Sequence, residues 1–524
     1  MPDASNTRTG TRTGAESLIA TAVEAGVEVC FANPGTTEMP LVSALDAVPG
    51  MRAVLALHEN VVTGAADGYG RLAGKPALTL LHLGPGFANG IANLHNARRA
   101  RTPLINLIGE HATWHQEADA PLAADIESLT GAVSGWQRRS SSADAMAGDM
   151  AEALTAATAG DGQVASLILP HDLQMAETTA QAAGRFSSER AAVSQERVAQ
   201  AAETLKAGRS LLLIGGQAIT EPGLKTAARI AAATGAGFMT ERSVAYAERG
   251  GGLPAPAPVP YFPEQAEEAL SGYDSIVLAG TDDPVAFFGW PGYRSRHAPE
   301  DCIRISLARH DEDVLGALDA LADALDAPAY QAADPGARPE PPSGALTADA
   351  LCQAIAALQP EGAVLVNEAI TSGWSYYKHS ASAPRFTQVA LTGGAIGFGL
   401  SCATGAAIAC PDRKVIAFQA DGSGLYAPQA LWTQAREGLD VVNVICANRA
   451  YHILRVELQR AGINRPGPNA ESLTDLARPA VDWTQIAKGF GVPATTAETA
   501  DSLVAALGKA LATPGPSLIE ALVE

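Results

Sequence analysis

The chain has 524 residues, too many for one ordinary domain, and its length favours three domains. Hydrophobic residues make up 47% of the sequence, enough to bury large cores, and the 56 acidic residues outnumber the 36 basic ones, which argues against nucleic acid as a partner. Six cysteines without a Cys-x-x-Cys pair, and a polar N-terminus without an apolar signal core, favour a reduced, cytoplasmic protein.

Residues 1–14 are polar and predict a flexible tail, and a first domain is expected over residues 15–185. Apolar, β-prone runs alternate in this region with helix-like segments, which is typical of a doubly wound α/β domain with a mainly parallel sheet. The predicted strands are Val27–Phe31, Ala53–Leu57, Ala77–Leu81, Leu104–Ile108 and Ser166–Leu169.

The second and third of these strands are followed by residues suited to chemistry, Glu59 and His82. Glu59 stands just before a predicted helix, Asn60–Gly70, where a carboxylate usually interacts with the helix dipole. The alternative is a carboxylic acid that keeps its proton in an apolar pocket and shares it with a ligand nitrogen. His82 is either structural or a proton-transfer group. Weaker pocket candidates follow the fourth strand: Glu110, His111 and His115.

A central α/β domain is expected over residues 198–328, between linkers at 178–197 and 326–346 that are rich in small and polar residues. Gly215 and Gly216 follow its first strand, but the Gly-x-Gly-x-x-Gly pattern is absent, so structural packing is favoured over nucleotide binding. The predicted strands are Leu211–Ile214, Gly237–Met239, Ile276–Ala279 and Ile303–Ser306.

The last domain, residues 346–524, contains a second candidate site. Asp421 and Asn448 follow two strands and are 27 residues apart, a spacing that suits a β-α-β crossover, so both are expected at the same edge of a parallel sheet. Their hard oxygen donors suit Mg²⁺ and phosphate, Gly422 permits close backbone approach, and Ser423 is expected to cap the next helix. The alternative is an ordinary Asp-Gly turn. The predicted strands are Ala363–Val366, Val389–Leu391, Val415–Phe418, Val441–Cys446 and Ser517–Val523, with a helix at Ala430–Glu437 and a buried, not membrane-spanning, helix within Gly393–Cys410.

The Asp421-Gly422 and Asn448 segments resemble the Gly-Asp-Gly … Asn-Asn signature of thiamine-diphosphate (ThDP) enzymes, with Ala420 and Ala447 in place of the first Gly and first Asn. The resemblance is to the decarboxylase and acetolactate synthase group. It implies three doubly wound α/β domains. The first would bind the cofactor's pyrimidine, the second would be a central domain, and the third would bind the diphosphate. It also implies a homodimer or homotetramer with active sites between subunits. Further matching segments are Asn33–Glu38, His58–Arg71, His82–Asn96 and Gly393–Leu400.

The resemblance also implies roles for individual residues. Glu59 would protonate the cofactor's aminopyrimidine, while Thr36 and His82 would guide the substrate carboxylate and relay protons. Asp421, Asn448 and the Ala450 carbonyl would hold Mg²⁺. The implied cofactor-binding residues are Pro34, Gly35, Glu59, Asn89, Ile370, Thr371, Gly394, Ile396, Gly422, Ser423 and Tyr451. The implied substrate-pocket residues are Thr37, Phe87, His111, Phe287, Phe288, Ile453 and Leu454. Family members often bind FAD or ADP in the central domain, but nothing in this sequence demands either.

Three functions follow from the resemblance. The leading one is decarboxylation of a 2-oxo acid through an enamine, as in benzoylformate decarboxylase. The second is carboligation of the acetolactate synthase type, giving a 2-hydroxy ketone or a 2-hydroxy-2-alkyl-3-oxo acid. It is favoured because Phe287 and Phe288 stand in the segment where similar decarboxylases place a second proton-relay histidine. The third is a non-catalytic nucleotide-binding scaffold, against which the intact Glu59, Asp421 and Asn448 argue.

Overall fold

A computed structural model describes residues 11–180, 190–332 and 334–523. Most of the predicted tail, residues 1–10, and residues 181–189 of the first predicted linker lie outside the described residues. The end of the predicted tail has secondary structure: Arg12 and Thr13 pair with Thr178 and Glu177, and the Thr13 hydroxyl caps the first helix by accepting the Glu16 N–H at 3.2 Å. The first strand and the first helix of this domain therefore begin within the predicted tail.

The N-terminal domain has a six-stranded parallel sheet in the order β3-β2-β4-β5-β7-β6, with helices on both faces. Its central strands are buried apolar runs, as expected for a parallel sheet covered by helices. The strands are β1 Arg12–Thr13, β2 Val29–Asn33, β3 Arg52–Leu55, β4 Ala77–Leu81, β5 Leu104–Glu110, β6 Trp136–Arg139, β7 Val164–Pro170 and β8 Glu177–Thr178; the helices are α1 Gly14–Glu24, α2 Met39–Ala47, α3 Glu59–Ala73, α4 Leu83–Ala100, α5 Ile126–Gly131, α6 Met146–Thr158 and α7 His171–Met175.

The central domain has a five-stranded parallel sheet in the order β12-β10-β9-β13-β14. One strand, β11, leaves this domain and pairs antiparallel with β16 of the C-terminal sheet. The predicted first linker ends early because helix α8 already starts at Gln195. The elements are α8 Gln195–Lys206, β9 Ser210–Ile214, α9 Glu221–Thr234, β10 Gly237–Thr240, β11 Tyr246–Arg249, β12 Ala257–Pro258, α10 Pro263–Ser271, β13 Ser275–Ala279, β14 Ile303–Ala308 and α11 Val314–Ala324.

The C-terminal domain has a seven-stranded sheet in the order β11-β16-β15-β17-β18-β20-β19, parallel apart from β11. The predicted doubly wound, mainly parallel fold class is confirmed. The elements are α12 Ala348–Leu358, β15 Ala363–Glu368, α13 Tyr376–His379, β16 Phe386–Ala390, α14 Gly399–Ala409, β17 Val415–Ala420, α15 Asp421–Gly424, α16 Ala430–Glu437, β18 Val441–Ala447, α17 His452–Arg460, α18 Pro468–Ser472, α19 Trp483–Gly489, β19 Ala494–Ala497, α20 Ala500–Ala512 and β20 Ser517–Leu522.

Helix α3 of the N-terminal domain packs against the buried helix α14 of the C-terminal domain, with their backbones in contact. A Cβ atom on Gly68 would lie 2.1 Å from the Cys402 carbonyl oxygen, and one on Gly405 would lie 1.8 Å from the Ala65 carbonyl oxygen. Glycine is therefore required at both positions. Across the described ranges, no helix combines the length and the apolar character needed to cross a membrane.

Candidate active site

A cavity of about 720 Å³ lies between the central and C-terminal domains. Strands β17 and β18 are parallel neighbours, with Ala420 opposite Cys446, so the residues that follow them emerge at the same edge of the sheet. Asp421 and Asn448 both line the cavity there, together with Ala450. This is the edge at which open α/β sheets bind ligands.

The oxygen atoms at this edge suit a hard divalent cation. Asp421 is only 6% exposed, and its burial raises the pKa of its carboxyl group. Its oxygens accept the backbone N–H groups of Gly422 at 2.8 Å and Arg449 at 2.7 Å, with no ion pair among the described residues. No group of three or more His, Cys, Asp or Glu is placed to hold a metal in these residues. The site at this edge instead combines one carboxylate, from Asp421, with the Asn448 amide oxygen and the Ala450 carbonyl oxygen. Such a set of oxygen donors fits a Mg²⁺ ion that is also bound by phosphate.

Two glycines that line the cavity, Gly422 and Gly394, have no space for a side chain. A Cβ on Gly422 would lie 2.6 Å from Cε1 of Tyr451, and Gly394 has a φ of +76° with space for a Cβ blocked by Phe287 at 2.7 Å. Ser423 does not cap a following helix as the sequence predicted. It lies inside the short helix α15, where its hydroxyl donates to the Ala420 carbonyl at 3.2 Å.

A buried carboxylate that sequence reasoning missed, Glu368, fixes the loop beside Gly394. It is 1% exposed, at the end of β15, and lines the same cavity. Its oxygens accept the N–H groups of Gly397 at 2.9 Å, Phe398 at 3.3 Å and Gly399 at 2.7 Å, so it closes the N-terminus of α14. Burial raises the pKa of Glu368. An acidic residue at the end of a mainly apolar strand was the available signal.

Glu59 lies in the N-terminal domain, at the start of α3, and is 8% exposed. The Asn89 amide donates to its Oε2 at 3.0 Å. Its Oε1 faces Gly86, whose missing Cβ would lie only 3.2 Å away. The side chain is therefore oriented with one oxygen bonded and the other directed toward a glycine that leaves space.

His82 is held by a second buried acid, Glu38, for which the sequence analysis assigned no role. The His82 Nδ1 lies 2.8 Å from Glu38 Oε2 and 3.3 Å from the Thr37 hydroxyl. Glu38 also accepts the Gly35 N–H at 2.7 Å, which ties the turn after β2 to the histidine. Because Nδ1 is engaged, Nε2 is the ring nitrogen left for proton exchange.

The structure divides the predicted site residues by domain. Those of the central and C-terminal domains line the cavity: Phe287, Phe288, Ile370, Thr371, Gly394, Ile396, Asp421, Gly422, Ser423, Asn448, Ala450, Tyr451, Ile453 and Leu454. Those of the N-terminal domain do not line it: Pro34, Gly35, Thr36, Thr37, Glu59, His82, Phe87, Asn89 and His111. One chain therefore presents two separate half-sites.

Two N-terminal residues predicted to line the substrate pocket, Phe87 and His111, pack within their own domain. Phe87 is fully buried in the hydrophobic core, because it lies on the inward face of α4. His111 packs edge-on against His115, with ring centroids 5.5 Å apart, away from the cavity. The neighbouring Glu110 pairs with Arg139 at 3.0 Å.

The Gly215-Gly216 loop of the central domain is filled by a side chain of the same domain. Glu241 accepts the Gly216 N–H at 3.3 Å and the Thr281 hydroxyl at 3.2 Å. A Cβ on Gly215 would lie 2.7 Å from the Glu241 carboxylate. Burial raises the pKa of Glu241 to about 7. This is the structural packing that the sequence favoured, and a carboxylate occupies the position suited to a phosphate.

The fold is that of a ThDP enzyme, and comparison with known proteins identifies the same family. Residues 12–130 match the family model "Thiamine pyrophosphate enzyme, N-terminal TPP binding domain", and residues 371–521 match "Thiamine pyrophosphate enzyme, C-terminal TPP binding domain". The chain belongs to the ThDP-dependent enzymes of the decarboxylase and acetolactate synthase family.

Its similarity to particular members spans nearly the whole chain. It is 48% identical to a Mycobacterium tuberculosis protein named "Putative acetolactate synthase large subunit IlvX", over 97% of this chain and 99% of the relative. It is 29% identical to benzoylformate decarboxylase of Pseudomonas aeruginosa, over 94% and 96%. The solved structure of a ThDP-dependent 4-hydroxybenzoylformate decarboxylase from Rhodococcus jostii RHA1 shares the fold, with a TM-score of 0.85, 24% identity and coverage of 98% and 99%.

Proposed function

We propose that this protein is a Mg²⁺-requiring ThDP enzyme that decarboxylates a 2-oxo acid and works as a homodimer or homotetramer. The observation that carries the proposal is the pair Asp421 and Asn448, side by side at two strand ends in a cavity of about 720 Å³. In the reaction, the C1–C2 bond of the 2-oxo acid breaks, CO₂ leaves and a proton is added at C2, so the product is an aldehyde.

ThDP, when bound, supplies a sink for the electron pair released with CO₂. The chain's own residues hold and orient it: Asp421, Asn448 and the Ala450 carbonyl bind Mg²⁺, and Gly422 admits the diphosphate. In the other half-site, the Asn89 amide donates a hydrogen bond to Glu59 Oε2. The second carboxyl oxygen, Oε1, is therefore the one that shares a proton with a ligand nitrogen. His82, held through Nδ1, exchanges protons through Nε2.

A specific observation favours carboligation as the second candidate. Phe287 and Phe288 are 44% and 55% exposed and both line the cavity, so the central domain contributes rings there and no proton donor from this segment. If protonation at C2 is slow, a second carbonyl compound can add at this carbon instead, and the product is a 2-hydroxy ketone.

We further propose that each active site joins the N-terminal half-site of one chain to the cavity of another. Exposed apolar side chains surround both halves, as expected for surfaces that become buried on association. On the cavity side these are Phe287, Phe288, Trp374 and Leu454, and on the N-terminal side they are Met39, Leu57 and Trp114.

The reaction is tested by giving the protein, loaded with ThDP and Mg²⁺, a panel of 2-oxo acids and identifying aldehydes and hydroxy ketones by chromatography. Wild type and Glu24→Gln, a variant of an exposed glutamate on α1, should give the same products. Glu59→Gln should lose at least about a hundredfold in rate, because general acid–base groups contribute that much or more. Equal rates for Glu59→Gln and wild type would contradict the proposal.

The shared site is tested by complementation between two inactive variants, Glu59→Gln and Asp421→Ala. In a mixed dimer one site carries both changes and the other carries neither. Subunit exchange of equal amounts should therefore restore about a quarter of wild-type activity, since half of the dimers are mixed and each has one intact site. Sites formed within one chain would give no recovery.

A further inference from the structure

One side of the cavity is an aromatic wall, defined by Tyr261, Phe262, Phe287, Phe288 and Trp374, all of which line the cavity. The rings contact one another: centroids lie 5.4 Å apart for Tyr261 and Phe287, and 5.1 Å apart for Phe287 and Phe288. Phe262 and Trp374 meet edge to face at 6.0 Å. Such a surface suits a flat, apolar group, which gains both burial and ring contacts.

The aromatic wall begins at the loop predicted to hold the cofactor. The nearest atom to a Cβ built on Gly394 is Cζ of Phe287, at 2.7 Å. Tyr261 continues the wall from Phe287, and Arg242 follows, with its guanidinium carbon 5.9 Å from the Tyr261 ring centroid. An apolar group along this wall would therefore run from the reacting end of the site toward an arginine.

Arg242 follows the carboxyl end of strand β10, and it projects to the opposite side from its neighbour. Glu241 turns to the Gly215-Gly216 loop, whereas Arg242 lines the cavity. Among the described residues, Arg242 makes no hydrogen bond and no ion pair. Its side chain is exposed in this chain, so a ligand in the cavity can reach the guanidinium group, although the protein beside it lowers the pKa of that group.

The other charged side chains at this end of the cavity are already engaged. Arg249 donates to the Gln388 amide oxygen at 2.6 Å and to the Tyr377 carbonyl at 2.9 Å. Glu248 accepts from the Tyr246 hydroxyl at 2.9 Å, and Glu457 accepts from the Trp290 indole at 3.2 Å. The charge of Arg242 is therefore left for a ligand.

We propose that Arg242 binds a second anionic group of the substrate, so that the protein acts on 2-oxo acids whose aromatic side chain ends in a carboxylate. The Arg242 guanidinium has no ion pair or hydrogen bond among the described residues, and a charge-assisted, two-pronged contact with a carboxylate is stronger than a neutral hydrogen bond. The aromatic body then lies along the wall, and its 2-oxo acid end meets the cofactor. This proposal rests on the proposed decarboxylase function.

The test compares 4-carboxyphenylglyoxylate with benzoylformate, which lacks the distal carboxylate, as substrates of the holoenzyme. Wild type should prefer the dianion in kcat/KM. Arg242→Gln should reduce the ratio of the two values by between about ten- and a hundredfold, the worth of a hydrogen bond to a charged group, and Arg242→Lys should keep part of it. Arg209→Gln, a variant of an exposed arginine of the central domain, should leave the ratio unchanged. An equal ratio in wild type and Arg242→Gln overturns the proposal.

Calorimetric binding of benzene-1,4-dicarboxylate and benzoate to the holoprotein provides a readout that does not need turnover. If the dicarboxylate binds more tightly than benzoate and Arg242→Gln loses this difference, the Arg242 site is supported. This holds even if neither 2-oxo acid is converted, and in that case only the decarboxylase function fails. If benzoylformate is converted but Arg242→Gln changes neither the substrate preference nor the binding of the dicarboxylate, the Arg242 site is overturned and the decarboxylase function stands. Dissociation of the oligomer by Arg242→Gln also overturns it, because the arginine would then belong to a subunit contact.

Discussion

Replacing Arg71 with alanine tests how the three domains are held together around the active site. Arg71 lies on α3, and its side chain is 2% exposed. It pairs with Asp67 at 2.6 Å and donates to the carbonyl oxygens of Ala245 at 3.3 Å and Ala390 at 2.8 Å. Its guanidinium carbon also lies 4.8 Å from the ring centroid of Phe398, beside the loop that Glu368 closes. One side chain therefore bonds to all three domains.

The magnitude follows from what the substitution leaves behind. The Asp67 side chain is fully buried, and without Arg71 it retains the Thr102 hydroxyl as its side-chain donor. Breaking a buried pair by removing one partner costs about 3–5 kcal/mol, because the remaining charge is uncompensated. The matched control is Arg209→Ala: its pair with Asp274 has the same 2.6 Å separation, but the two side chains are 68% and 63% exposed, so water and salt screen it.

The assay is thermal unfolding followed by circular dichroism, with midpoints compared because a multidomain chain need not unfold in one step. Arg71→Ala should lower the midpoint by several degrees, whereas Arg209→Ala should leave it nearly unchanged. Replacing both Asp67 and Arg71 with alanine should recover part of the loss, since no charge then remains unpaired. Equal shifts for Arg71→Ala and Arg209→Ala would refute the reasoning from burial.

Two further substitutions have defined outcomes. Burial raises the pKa of Glu241 from its ordinary 4.5 to about 7, so the stability it contributes is complete below about pH 4.5 and is lost as the pH rises to about 7. The midpoint of Glu241→Gln relative to wild type should therefore rise between pH 5 and pH 8, and a difference that does not vary with pH would contradict the assignment. In Gly422→Ala the new Cβ would meet Tyr451 at 2.6 Å, so calorimetric affinity for ThDP with Mg²⁺ should fall by roughly tenfold or more. Gly508→Ala, on α20 with nothing within 4 Å of the new atom, should bind as wild type does.

Core strands were predictable from sequence, whereas some edge strands were not. Ala77–Leu81 and Ala430–Glu437 were predicted with the bounds that the structure has, because one is a continuous apolar run between turn residues and the other has a clear helical pattern. The strands Trp136–Arg139 and Ala494–Ala497 were missed. They lie at sheet edges and carry polar or small residues. They form strands because they pair with the buried strands beside them, β7 and β20.

The same distinction applies to the candidate site. Asp421 and Asn448 could be paired from sequence because β-α-β spacing brings the ends of parallel strands together. Glu38, Glu368 and Arg242 could not be given roles in the same way. Their roles depend on distant segments of the chain. Glu38 contacts a histidine, Glu368 accepts the N–H groups of a loop, and Arg242 lines the cavity without an ion pair among the described residues. No local pattern encodes these contacts.

The two halves of the site divide the chemistry between them. His452 is the one histidine among the described residues that line the cavity, and it begins α17, in the C-terminal domain. The central domain contributes Phe287 and Phe288, which cannot transfer a proton. His82, with Nδ1 held by Glu38, belongs to the other half-site. In the shared site proposed above, the choice between aldehyde and hydroxy ketone depends on whether His452 of the cavity, or His82 of a second chain, is close enough to C2 to supply the proton.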